Sequence, residues 1–191
     1  MIAKPFTLTT PRLTLRKLGR EDLEALVALD SDPEVMRYIN GGIPSTRAQV
    51  EGMLARMLAW APDDPVGFYA ALAQTPARPD RTPAGSEWIG WFHLRPSIDP
   101  LPGALELGYR LRRSAWGRGY ASEGSRALAD FAWAELDPPA LDGCAMPDNH
   151  ASIAVLRKCG LGYVDRRPHP RAPEIEVAFY RAAADATITP R

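Results

Sequence analysis

At 191 residues, with 46% hydrophobic and 24% charged side chains, the chain has the size and composition of a single domain, 1–191, with a sizeable core. Lysine plus arginine equals aspartate plus glutamate at 23 each, so no overall field draws the chain to nucleic acid or to a membrane. No apolar run approaches a membrane span, the first residues do not read as a signal peptide, and two cysteines and three dispersed histidines supply no metal set. Cys144 and Cys159 are expected to be buried thiols of a cytoplasmic protein rather than a disulfide.

Along the chain, Arg12-Leu13-Thr14-Leu15-Arg16 alternates as a half-buried strand does. A helix follows from Glu21 to Asp30, and Pro33 opens a short helical piece that Gly41-Gly42 ends. Thr46 and Gln49 have the spacing of a capping box before an apolar stripe of Val50, Met53, Leu54, Met57 and Leu58, with Ala61-Pro62-Asp63-Asp64-Pro65 as its stop. Gly67 to Leu72 and Trp88 to Leu94 read as two antiparallel strands. The proline-rich stretch between them, Gln74 to Gly85, reads as an exposed hairpin loop.

Leu105, Leu107, Tyr109 and Leu111 alternate with Glu106, Gly108 and Arg110 in the cleanest strand pattern of the chain. A helix from about Ala121 to Glu135, a strand from Leu141 to Ala145, a helix from His150 to Lys158 and strands near 160–164 and 175–180 complete the order. That order, β-α-α-β-β-β-α-β-α-β-β, predicts an α+β fold: a mixed, mostly antiparallel sheet of six to seven strands with helices on both faces. The 121–135 helix is the expected crossover between two parallel central strands.

Between the cleanest strand and that helix lies Arg112-Arg113-Ser114-Ala115-Trp116-Gly117-Arg118-Gly119-Tyr120-Ala121. Two glycines where a helix begins can present bare N–H groups to an anion, and the positive end of the helix dipole points the same way. A diphosphate-bearing ligand fits this pattern. Trp116 is expected to pack and hold the loop in place.

Glu106-Leu107-Gly108-Tyr109 followed by Trp116-Gly117-Arg118-Gly119-Tyr120-Ala121-Ser122-Glu123 resembles the GNAT superfamily of N-acetyltransferases. Asn149-His150-Ala151-Ser152-Ile153-Ala154-Val155-Leu156-Arg157-Lys158-Cys159-Gly160 resembles a signature of its RimJ/RimL-like branch, which acetylates ribosomal-protein N-termini among other amines. Thr10-Pro11-Arg12-Leu13-Thr14-Leu15-Arg16 and Asp32 to Tyr38 are similar to that branch as well.

The resemblance implies acetyl-CoA as acyl donor, no metal, and a homodimer. It implies that the backbone amides of Gly117, Arg118, Gly119, Tyr120 and Ala121 hold the pyrophosphate, with Arg112, Arg113 and Arg118 able to add charge. It further implies that the strand residues Leu107, Gly108 and Tyr109 diverge from the next strand, leaving N–H groups for pantetheine and the thioester carbonyl. Trp116 stands where the general family motif carries a basic or amide residue.

Acetyl transfer needs a neutral amine, and an α-amine, with a reference pKa of about 7.7–8.0 against about 10.4 for lysine, needs only modest help. Glu106 is the candidate base, directly or through water, on the strand face opposite Leu105, Leu107 and Tyr109. Its structural alternative is a carboxylate paired with Arg110 or left in solvent. Many relatives protonate the leaving thiolate with a tyrosine. Leu156 stands at that position here, and Ser152, one turn earlier, is the candidate replacement. Asn149 is expected to contact the cofactor arm or the substrate, or to cap the 150–158 helix, or both. Neither cysteine belongs to a recognisable triad, so direct attack in a ternary complex is expected rather than a covalent intermediate. The leading expectation is transfer to a protein N-terminal α-amine. The alternatives are a small-molecule amine and a CoA-binding module without turnover.

Overall fold

A computed structural model describes residues 6–60, 64–75, 85–99 and 101–184. The fold is mixed α+β, and its eight-stranded sheet is mostly antiparallel. The chain divides into two compact units, each discontinuous in sequence. One takes Met1–His93 and Tyr109–Gly124, the other Leu94–Gly108 and Ser125–Arg191.

In the first unit, β1 (Thr7–Thr9) pairs antiparallel with β2 (Leu13–Lys17), and β2 with β3 (Gly67–Thr75). Next in order come residues of β4 (Gly85–Pro96) and β5 (Leu105–Leu111), two strands whose residues are shared out between the units. Strand β1 was not read from the sequence, because three residues are too few to show a period.

The helices of this unit start and stop where local chemistry dictates. A 3-10 turn, Arg20–Asp22, leads into α1 (Leu23–Asp30). Asp32 accepts from the Glu34 N–H at 2.9 Å, Pro33 opens α2 (Pro33–Asn40), and Gly41 closes it at a φ of +77°, which a side chain would strain. In α3 (Arg47–Leu58) the expected capping box is complete: Thr46 N–H donates to Gln49 Oε1 at 2.7 Å, and Gln49 N–H to Thr46 Oγ1 at 3.3 Å. Leu26, Leu29, Val50 and Leu54 pack with Ala70 and Trp91 into one core cluster. Of the predicted terminator after α3, Ala61 to Asp63 lie outside the described residues, as do Pro76 to Ala84 of the predicted hairpin loop.

The second unit carries the strand order β4-β5-β6-β8-β7, with β6 Ala140–Ala145, β7 Gly162–His169 and β8 Ala172–Ala183. β5 and β6 are parallel, as the crossover predicted, while β6–β8 and β7–β8 are antiparallel. Helix α5 (His150–Lys158) contributes Ile153 and Leu156 to a cluster with Ala145, Leu161, Ala178 and Tyr180.

The crossover helix α4 is Tyr120–Phe131, and a π-helical turn, Ala132–Leu136, carries the helical run to the end expected near Glu135. Asp137 N–H reaches five residues back to Ala132 O at 3.1 Å, and Asp137 itself sits at a φ of +44°. Pro138 has no N–H with which to continue the helix.

Candidate acyl-donor and catalytic site

The glycine segment behaves as a helix entrance should. Gly117 and Gly119 have φ of +71° and +83°, a backbone region that disfavours every side chain, so the alternation of glycines is a conformational requirement. Gly119 O accepts the first helical bond of α4, from Glu123 N–H at 3.0 Å. The N–H groups of Tyr120 and Ala121, in the first turn of α4, precede any intrahelical acceptor. Tyr120 is buried. The guanidinium groups of Arg12 and Arg118 both lie over its ring, 4.9 and 5.2 Å from the centroid.

Trp116 departs from the expectation of a packed residue, since it is 46% exposed. It still secures the loop, through an indole N–H that donates to Leu111 O at 2.8 Å. Arg112 is drawn away to Glu87, at 3.1 Å, and over the Trp88 ring.

The same loop has an anchor that the sequence did not reveal. Arg12 Nε and Nη2 approach Glu123 Oε2 at 2.7 and 2.6 Å, Arg12 N–H donates to Glu123 Oε1 at 3.0 Å, and the Thr10 hydroxyl donates to that oxygen at 2.6 Å. Arg12 Nη1 donates to Arg118 O at 2.9 Å. Burial pushes the Glu123 carboxyl up, but the hydrogen bonds from Thr10 and Arg12 outweigh it and hold the group below its usual range. Both residues lie in segments that carried the family resemblance; their meeting across more than a hundred residues has no local signal.

In the second unit, Glu106 is 4% exposed, buried between two apolar neighbours in Leu105 and Leu107. Its partner is neither Arg110 nor solvent. Arg95 Nη2 donates to Glu106 Oε1 at 2.7 Å, and Ile98 N–H approaches Oε2 at 3.4 Å. Arg110 is taken up in the first unit, where its Nη1 lies 2.6 Å from both carboxylate oxygens of Asp30. Alternation correctly separated Glu106 from its neighbours by face, but both faces of this strand are covered, so the face that holds Glu106 is not open to solvent.

The segment carrying Ile98 is itself tethered. Asp99 receives Arg167 Nη1 at 2.7 Å and Arg181 Nη2 at 2.9 Å, while fully buried Asp142 accepts from Arg181 Nε at 2.6 Å and Ser97 Oγ at 2.5 Å. Burial raises the Asp99 carboxyl, and the two arginines more than reverse it, leaving it lowered. Burial likewise pushes His169 below its ordinary value, against the pull of Glu106.

The described ladder between β5 and β6 holds two residue pairs, Leu105 with Leu141 and Glu106 with Asp142. β5 continues through Leu107, Gly108 and Tyr109 past the last of these pairs. Tyr109, in the first unit, is half-buried against Phe92, ring centroids 5.8 Å apart.

Asn149 caps α5: its Oδ1 accepts from Ser152 N–H at 3.1 Å. The Ser152 hydroxyl is not the group used in that bond. Leu156 is 6% exposed and belongs to the core, packed where Gly143 of β6 has no Cβ to collide with its Cδ2. Both cysteines are free. Burial, then Glu106, push the Cys144 thiol up to about 12, and burial pushes Cys159 up to about 11. Neither has nucleophilic character at neutral pH. No group of side chains among the described residues could hold a metal ion.

A family model described as an acetyltransferase (GNAT) domain matches residues 12–162. The chain belongs to the GNAT acetyltransferases. It is similar to the FsC-acetyl coenzyme A-N(2)-transacetylase of Aspergillus fumigatus, 32% identical over 186 residues that cover 91% of this chain and 74% of that protein. A crystal structure of an acetyltransferase from Agrobacterium tumefaciens matches at a TM-score of 0.72 with 28% identity, covering 95% of this chain and 96% of that one. RimL, a ribosomal-protein α-N acetyltransferase in complex with coenzyme A, matches at a TM-score of 0.72 with 17% identity, covering 95% and 99%, and so shows the fold alone. As a GNAT acetyltransferase, the protein is an acyltransferase with acetyl-CoA as its donor. No helix among the described residues is long and apolar enough to cross a membrane.

Proposed function

We propose that this GNAT acetyltransferase moves the acetyl group to a primary amine of low basicity, with a protein N-terminal α-amine as the first reading, by direct attack in a ternary complex. The observation that carries it is the Glu106–Arg95 contact at 2.7 Å. The arginine fixes where the carboxylate points, and an amine with a pKa of about 7.7–8.0 needs less help from a base than a lysine side chain at about 10.4.

In this reading the amine nitrogen attacks the thioester carbonyl carbon, the C–S bond breaks, and Glu106 takes the amine proton directly or through water. N–H groups of Leu107 and Gly108 polarise the carbonyl, supported by the end of the β5–β6 ladder at Glu106. Ser152 donates the proton to the leaving thiolate, supported by the structural duty of Leu156 at the tyrosine position. The amides of Gly117 through Ala121 hold the diphosphate, with the Arg118 guanidinium beside them, and Tyr109 and Asn149 line the pantetheine arm. The single-domain reading is supported by a family match that runs through sequence of both units. A cytoplasmic setting, supported by two free cysteines, the RimJ/RimL-like branch and a homodimer belong to the same proposal.

A second reading is a small-molecule amine acceptor, favoured by the name of the Aspergillus relative, which specifies transfer to an N(2) nitrogen. Thiol release from acetyl-CoA, measured against peptides with varied N-terminal residues and against free amines, separates the two. Turnover of unblocked peptides that disappears on N-terminal blocking supports the first. Turnover of free amines alone replaces it with the second. Preference for lysine side chains overturns both.

A further inference from the structure

We propose that Arg12 is a positioning residue for the donor's diphosphate, acting through the peptide group that joins Arg118 to Gly119. This inference rests on the reading of 117–121 as the diphosphate loop.

The argument starts from peptide geometry. In a planar trans peptide the carbonyl oxygen of one residue and the N–H of the next point in opposite directions. Arg12 Nη1 holds Arg118 O at 2.9 Å, so Gly119 N–H is directed away from Arg12. This peptide turns about the ψ of Arg118 and the φ of Gly119, the latter at +83°. Glycine tolerates many other backbone states, so the local sequence does nothing to prevent the peptide from turning over. The orientation has to be imposed from outside the loop.

Arg12 is equipped to impose it because the arginine is itself fixed. Nε and Nη2 are committed to Glu123, whose other oxygen takes the Thr10 hydroxyl and the Arg12 N–H. The guanidinium also lies over the Tyr120 ring. One planar fork thus spans the first turn of α4 and the loop carbonyl together. A Cβ on Gly119 would come within 3.2 Å of Arg12 Nη2, so the second glycine also makes room for the fork. With the carbonyl turned toward Arg12, the Gly119 N–H joins those of Tyr120 and Ala121 as a donor for an anion. With the peptide reversed, a carbonyl oxygen would face the diphosphate instead.

Arg12→Lys is the informative variant. It keeps a cation beside Glu123 but has no second arm for Arg118 O. Two measurements on the full chain test the idea: CoA affinity by calorimetry, and the Gly119 amide signal in NMR spectra with and without CoA. The expected result is a Gly119 amide that shifts on CoA addition in the wild type and not in the variant. CoA affinity should fall by about tenfold, the size of one lost charge-assisted hydrogen bond. A merely structural role would lower the melting temperature without erasing the shift. Should Arg12→Lys fail to fold, Arg12→Gln gives the same readout with a single-armed neutral donor. An equal Gly119 shift in wild type and variant, or unchanged affinity, overturns the role of Arg12. If the wild type binds CoA and its Gly119 amide does not move, the loop assignment itself is wrong, and the inference goes with it.

Discussion

Arg95 Nη2 lies 2.7 Å from Glu106 Oε1, and both side chains are largely withdrawn from water. Arg95 holds one oxygen of the carboxylate, and the Ile98 N–H approaches the other. Glu106→Gln keeps the shape and removes the base, so kcat should drop by about a hundredfold or more while the KM for acetyl-CoA holds. The variant also leaves Arg95 without its charge partner, so a lower melting temperature is expected alongside. Steady-state kinetics with a fold check by circular dichroism reads both. An unchanged kcat would remove Glu106 from the chemistry.

Asn149 and Ser152 can be separated because the cap uses a backbone N–H, not the serine hydroxyl. Ser152→Ala keeps the cap and should lower kcat on the order of a hundredfold. Asn149→Ala should cost about 1 kcal/mol of stability, which Asn149→Asp restores. If Asn149 also touches the donor, CoA affinity falls in both of its variants, including the one whose cap is intact.

Glu123 makes a pH signature. Its folded value lies below the ordinary 4.5, so the unfolded chain takes up its proton first as the solution is acidified. The stabilisation is complete above 4.5 and is lost as pH falls through the lowered folded value. Denaturant midpoints for wild type and Glu123→Gln should differ at neutral pH and converge in acid. A gap that persists at low pH would show that the carboxylate charge is not what holds Thr10 and Arg12.

The two thiols should be slow to alkylate. With Cys144 pushed up to about 12 and Cys159 to about 11, the thiolate fraction at neutral pH is minute. Iodoacetamide labelling followed by mass spectrometry is expected to modify neither until denaturant is added, with Cys159 the first to yield as pH is raised. Rapid labelling of native Cys144 would contradict its raised thiol value.

Much of this architecture was legible in the chain because local rules carry it. The Thr46–Gln49 capping box, the Asn149 cap, the α5 boundaries and the alternating run from Leu105 to Leu111 all express periods or spacings within a few residues. Other features depended on neighbours from distant sequence. Trp116 holds the loop as expected, but by one indole hydrogen bond from an exposed position and not by packing. Leu156, at the tyrosine position, is core, and Gly143 leaves space beside it.

The sequence alone determined most of the elements, the glycine loop at the start of α4 and, through resemblance, the GNAT family with its acetyl-CoA donor. These depend on periodicity, capping and backbone freedom, which are properties of neighbouring residues. Tertiary structure alone decided the ionic partners: Glu106 with Arg95, Arg110 with Asp30, and Glu123 with Arg12. An arginine's partner is whichever carboxylate the folded chain brings within hydrogen-bond reach, and sequence distance does not encode that proximity.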